Sequence, residues 1–278
     1  MDKQLRLAQL SKFAYKLIYK PRLFRFDRSK KKSPGKLIRI RRQLEKLVPA
    51  DDALFCLPKN HVVINQRIEP PGSMILPSAV IDHFIERSGY RAIMNYCICR
   101  DSNNCKDYPI QYGCLFLGEA ARRIHPDMHR SVSKDEARNH LKQCREKGLI
   151  HLVGRAKLDT LWLDVGPHDK LLTVCNCCPC CCISLATPYV APKLTDWFMK
   201  MPGVEVVVSD DCVGCGTCRD ACIYGGLEFE SGRAVINDQC RACGRCAERC
   251  PKEAIHITMP EDSIQTTIDH LAERVDVT

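Results

Sequence analysis

The 278-residue chain has no glycine-rich nucleotide-binding motif, no flavin signature and no Cys-x3-Cys-x2-Cys run, so nothing in it marks a nucleotide, flavin or radical-initiating site. It is also poor in uncharged chain of membrane-spanning length. The one such stretch, Leu171 to Pro192, holds six cysteines and is broken by Asn176, Pro179, Pro188 and Pro192. That pattern argues against a lipid-facing helix and for a dry pocket around clustered thiols. No uninterrupted apolar region opens the chain: Lys3, Arg6, Lys12, Lys16 and Lys20 punctuate its first twenty residues. A leader is therefore not expected, and a cytoplasmic location is.

What the chain has in abundance is cysteine, 20 residues of it. Disulfide scaffolds of comparable density belong to short secreted chains, so a reducing, oxygen-poor cytoplasm and metal-binding thiols are the expectation here. The length suits two small domains plus extensions, with apolar content of 45% sufficient for ordinary cores.

One stretch dictates a specific chemistry. It reads Cys212-x2-Cys215-x2-Cys218-x3-Cys222 and, 28 positions later, Cys240-x2-Cys243-x2-Cys246-x3-Cys250-Pro251. Each copy is a run that holds a [4Fe–4S] cube, because three thiolates two residues apart reach three corners from one loop. Gly214, Gly216, Ala242 and Gly244 stand between the ligands, where larger side chains would meet the cluster or forbid the turns. Paired zinc sites also use Cys-x2-Cys, but they do not require a fourth ligand exchanged between two runs.

Residues 205–258 resemble the two-cluster bacterial ferredoxins, in which the fourth cysteine of each run ligates the other cluster. The resemblance implies cluster I on Cys212, Cys215, Cys218 and Cys250, and cluster II on Cys240, Cys243, Cys246 and Cys222. Ile223 replaces the proline that follows the fourth cysteine in that family, so the turn delivering Cys222 is expected to be looser.

Ten further thiols lie upstream: Cys97, Cys99, Cys105 and Cys114 on an Asp/Asn-rich loop after a strand at 91–96, and Cys175, Cys177, Cys178, Cys180, Cys181 and Cys182. Ten exceed the four ligands of one cubane, so at least one additional iron–sulfur centre is expected from a subset, with zinc or a plain thiol group as alternatives. Adjacent residues of an extended chain face opposite ways, so Cys177 and Cys178 cannot serve one cluster unless the backbone turns, as Pro179 allows. Cys56 and Cys144 sit in apolar patterns and read as inert core residues. Residues 97–182 resemble uncharacterised ferredoxin-like iron–sulfur proteins of anaerobes that pair a Cys-x-Cys loop with Cys-Asn-Cys-Cys-x-Cys-Cys-Cys; that resemblance implies no reaction.

The expected fold class is α+β: a C-terminal ferredoxin-like dicluster domain joined to an N-terminal cysteine-rich α/β domain. The divisions fall at 1–50 (basic amphipathic extension), 51–200 (cysteine-rich domain), 201–260 (dicluster domain) and 261–278 (helix). Other expected elements are a strand at 61–65, a helix at 77–88, a helix opened by a Ser133/Glu136 capping box, a strand at 149–153, and a hairpin with arms 160–165 and 171–174. Helix, strand and hairpin in that order is also the order of a winged helix.

Charge is uneven. Residues 1–46 hold 16 Lys or Arg against three acids, while the whole chain nets only +9. Leu7, Leu10, Phe13, Ala14, Leu17 and Ile18 share one helical face. Such a segment packs on the body of the protein or binds an anionic membrane surface or acidic partner, with nucleic acid ranked last. The functional expectation is an electron-transfer protein or subunit working with redox partner proteins, peripheral to the inner face of the membrane if residues 1–46 bind lipid. An iron–sulfur sensor on DNA, or a reductase using the upstream metal site, is the alternative.

Overall fold

The computed structural model describes residues 52–59, 62–64, 77–182, 184 and 197–278; the helices expected within residues 1–50 lie outside them. In chain order the strands are β1 (Ala53–Cys56), β2 (Val62–Ile64), β3 (Arg91–Met94), β4 (Leu115–Leu117), β5 (His129–Ser131), β6 (Ile150–Arg155), β7 (Leu172–Cys177), β8 (Phe198–Lys200), β9 (Glu205–Val208), β10 (Leu227–Glu230), β11 (Arg233–Ile236) and β12 (Ile255–Met259). The helices are α1 (Ala79–Arg87), α2 (Ile98–Ser102), α3 (Lys134–Glu146), α4 (Lys157–Leu163), α5 (Arg245–Arg249) and α6 (Ser263–Ala272). Helices and strands are thus mixed, as expected of an α+β chain.

Seven strands form one sheet in the order β5-β3-β4-β7-β6-β1-β8, antiparallel except where β8 joins β1. A second sheet of order β2-β12-β9 and the β10-β11 hairpin carry the repeated cysteine runs. Because side chains alternate along a strand, Leu172, Val174 and Asn176 of β7 take one face of the large sheet, and Thr173, Cys175 and Cys177 the other. The first face is covered by α1, α3 and α6 through Ile81, Phe84, Leu141, Ile268 and Leu271. Ile257 and Met259 of β12 belong to the same buried cluster, so hydrophobic packing is continuous from the large sheet into the ferredoxin-like segment.

Helix α3 begins as predicted: the Ser133 hydroxyl accepts the Glu136 N–H at 3.2 Å, and the Glu136 carboxylate accepts the Ser133 N–H at 2.8 Å. The expected hairpin does not form. Its first arm is helix α4, whose buried residues Thr160 and Leu163 lie three apart. The Asp52 carboxylate accepts the Lys157 N–H at 2.7 Å and so caps the first turn of α4 from 105 residues away. The flanking strands β6 and β7 pair with each other inside the sheet, which removes the exposed wing that a winged helix requires.

Candidate metal centres

The eight cysteines of the repeat converge on two cavities. Cys212, Cys215, Cys218 and Cys250 line one, together with Phe229, Pro251 and Ile255. Cys222, Cys240, Cys243 and Cys246 line the other, together with Tyr224, Ile236 and Arg241. Each cavity takes three thiols from its own run and the fourth from the other run. Four convergent thiols around a pocket with an apolar lining are a donor set that fits a [4Fe–4S] cluster.

Local backbone conformation explains the convergence. Gly214 (φ +66°) and Gly216 (φ +79°) make left-handed turns between the first three thiols, and a Cβ at Gly214 would lie 1.7 Å from the Gly232 carbonyl oxygen. The second run repeats these turns at Ala242 (φ +52°) and Gly244 (φ +83°), so Ala242 bears a conformation that alanine adopts at a cost. The fourth cysteines leave short helical turns with nearly the same geometry, φ −78° and ψ 105° at Cys222, φ −78° and ψ 111° at Cys250. The looser turn expected from Ile223 is therefore not seen. Ile223 packs against the buried cluster that contains Leu54, Ile150 and Tyr224, and this packing does for Cys222 what proline stiffness does for Cys250.

The two cavities differ in surroundings. Cavity I is at the surface, with Cys215 exposed and Val213 64% exposed at its rim. N–H groups of Ala234 and Gly214 bond the Cys212 sulfur and lower its pKa, and the Thr217 hydroxyl does the same for Cys215. Cavity II is turned toward the large sheet. Burial raises Cys240 and pushes Cys243 up to about 11. Arg245, only 8% exposed, donates to the Cys177 carbonyl oxygen at 3.1 Å and so stands between cavity II and the upstream thiols.

Those upstream thiols divide into two groups, and the division falls between Cys177 and Cys178. The inner group lies on the sheet face opposite the helices. It includes Cys175, which is 3.8 Å from Cys114, and Cys177, which is 3.1 Å from Cys182. Cys97 and Cys99 bond one another beside them. The outer group is Cys105, Cys178, Cys180 and Cys181, whose sulfurs all lie within 4.8 Å of one another. Hydrogen bonds from its neighbours, Cys175 first and then Cys182, hold Cys177 well below the usual thiol range. Those from Cys180 and Cys181 hold Cys178 down to about 2. Cys56 and Cys144 are fully buried, and burial raises both thiols, consistent with core roles.

Arg100 sits where the two groups meet and is 0% exposed. Its guanidinium donates to the carbonyl oxygens of Asn176 (2.8 Å) and Tyr112, while Nε finds no partner among the described residues. Burial alone would lower its pKa, but Cys97, Cys178, Cys114 and Cys177 raise it above the ordinary arginine value. A fully buried arginine is rare unless anionic groups compensate it, and the thiols are those groups. A hydrogen-bonded chain then leads from the inner group to cavity II: Cys182 Sγ to Ser184 Oγ at 3.1 Å, and Ser184 Oγ to the Tyr224 hydroxyl at 3.4 Å. Sequence reasoning missed Arg100, Ser184 and Tyr224, since nothing local distinguishes a buried arginine or tyrosine from an exposed one.

With this geometry in view, comparison with known families bears on the second run. Residues 234–256, which include Cys240, Cys243, Cys246 and Cys250, match the model of the 4Fe-4S binding domain. The chain therefore contains an iron–sulfur, ferredoxin-like segment able to bind at least one [4Fe–4S] cluster. No curated protein and no solved structure matches the chain.

Proposed function

We propose that the chain is an iron–sulfur electron-transfer protein or subunit that passes single electrons between a low-potential donor and a partner oxidoreductase. Bound clusters supply one-electron redox chemistry. Cys212, Cys215, Cys218 and Cys250 hold cluster I, and Cys240, Cys243, Cys246 and Cys222 hold cluster II. Thiols of the inner group, drawn from Cys97, Cys99, Cys114, Cys175, Cys177 and Cys182, hold a further iron–sulfur centre.

The observation that carries this reading is the sequence of three thiol-lined sites through one continuous packed body. The surface-facing cavity I offers the entry, cavity II adjoins it through a shared cluster that includes Cys212, Cys218, Cys222, Cys246 and Cys250, and the inner group adjoins cavity II through Tyr224, Ser184 and Arg245. The apolar residues around them exclude water, while Val213 offers an exposed apolar contact to a redox partner. Buried packing crosses the expected division near residue 200, since Met201, Val204, Ile257 and Met259 share one cluster with residues of the large sheet. Residues 1–46 form the docking segment for an anionic membrane surface or acidic partner. No helix among the described residues is long and apolar enough to cross a membrane.

The test of the function is reversible one-electron reduction and reoxidation of anaerobically purified protein, with cluster content unchanged over repeated cycles. Salt-sensitive binding to a particular DNA sequence that switches with cluster state would instead support a sensor. Deletion of residues 1–46 is expected to abolish salt-sensitive binding to anionic vesicles and leave the iron content intact; unchanged vesicle binding would refute the docking role.

Arg241 and Arg245 flank cluster II ligands, where the first run has Val213 and Thr217. A cation near a site that gains an electron stabilises the reduced form, so cluster II is the easier of the two to reduce. Unit charges about 6 Å apart attract by roughly 3 kcal/mol at a dielectric of 20. With charge spread over a cluster, about half of that remains, equivalent to ~60 mV for one electron. Replacing Arg245 by methionine is expected to lower the cluster II potential by about this amount and to leave cluster I within ~10 mV. An unchanged cluster II potential in a redox titration followed by paramagnetic resonance would refute the tuning role.

A further inference from the structure

We infer that Cys105, Cys178, Cys180 and Cys181 form a mononuclear metal site, in which four thiolates bind a single tetrahedral ion of the zinc class and no inorganic sulfide.

The sulfur spacing decides between one ion and a cluster. Zinc–sulfur bonds of about 2.3 Å in a tetrahedron set the sulfurs about 3.8 Å apart. The observed separations are 3.6 Å for Cys105–Cys180, 3.6 Å for Cys178–Cys180 and 3.5 Å for Cys180–Cys181, with all pairs within 4.8 Å. A cube assigns each thiolate its own iron, which spreads the four sulfurs well beyond the edge of a single coordination tetrahedron.

Chain geometry supports the same assignment. Cys178 and Cys181 are the ends of a Cys-x2-Cys turn, the spacing that structural zinc sites favour, and Pro179 bends the chain between them. Cys105 comes from the loop after α2, so one ion would tie that loop to the end of β7. Tyr108, Tyr112, Cys144 and Leu149 share one hydrophobic cluster with Cys105, Cys178 and Cys181, while Cys180 is exposed. Four thiolates around a divalent ion leave a net negative charge, and buried Arg100 is a cation within electrostatic reach of Cys178. All four coordination positions are filled by protein, which makes the site structural, without an open position for substrate. The occupant is zinc or a lone iron, since both suit tetrahedral sulfur ligation.

The experiment uses the full chain purified without oxygen. One metal ion per chain is expected beyond those matched by acid-labile sulfide. In the Cys180→Ser/Cys181→Ser variant that ion is expected to disappear, with cluster iron and sulfide unchanged. X-ray absorption at the zinc edge of the wild-type protein needs no variant to fold: four sulfur neighbours and no metal neighbour support the site. A single sulfide-free iron, read as a high-spin ferric signal after mild oxidation and lost in the variant, also supports it and names iron as the occupant. Loss of iron together with sulfide in the variant would overturn the proposal, as would wild-type protein with no ion beyond its clusters.

Discussion

Cys222→Ala is expected to remove about four irons and four sulfides, and the cluster lost is the one bound by the other run. Cys222 closes the first run in sequence, yet it lines the cavity of Cys240, Cys243 and Cys246. Its side chain arrives there because the turn at Arg219–Ala221 ends in an extended residue that crosses to the second site. The mirror substitution, Cys250→Ala, is expected to spare cluster II and strip cluster I, since Cys250 lines the cavity of Cys212, Cys215 and Cys218. The two variants together separate the paramagnetic signals of the clusters. If Cys222→Ala instead eliminates the signal that Cys212→Ala eliminates, each run binds its own cluster and the exchanged arrangement is wrong.

Arg100→Leu is expected to empty the inner thiol group of iron while leaving the ferredoxin-like clusters in place. Leucine fills much of the volume but removes the cation and the donors to Asn176 and Tyr112. Buried acceptors left unsatisfied cost about 1–3 kcal/mol each, and an uncompensated buried charge about 3–5 kcal/mol. The charge part of the penalty falls on the metal-bound state, whose thiolates stay anionic when the cation is gone, while the lost carbonyl hydrogen bonds cost both states alike. Arg100→Lys keeps the charge and is expected to retain a larger share of the iron than leucine does. Equal iron content in wild type and the leucine variant would show that Arg100 serves packing alone.

Much of the site was legible because its determinants are local. The repeated cysteine spacing, the left-handed turn positions and the capping box at Ser133 all operate within a few residues. At Cys177 and Cys178 the sequence left open a turn at Pro179; Cys178 joins the outer group, and Cys177 lies 3.1 Å from Cys182. Elsewhere the deciding interaction is distant in sequence. The segment at 160–165 reads as the first arm of a hairpin, but Asp52 caps the first turn of a helix at Lys157–Leu163 from 105 residues away. Ile223 reads as a weakness relative to proline until its packing against the sheet is seen. Arg100 reads as an ordinary loop cation, and its burial among thiols is a property of the folded chain alone.

The central claim is that this chain holds more redox-active metal than its ferredoxin-like segment requires. Iron and acid-labile sulfide counted per chain, on full-length protein purified without oxygen, test it most directly. Two cubanes account for about eight irons, and a further iron–sulfur centre on inner-group thiols would raise the count above that. The account predicts more than eight, with sulfide rising in step beyond that number. Protein that saturates at about eight irons and eight sulfides under reconstitution would contradict it and leave the inner thiols without a redox role.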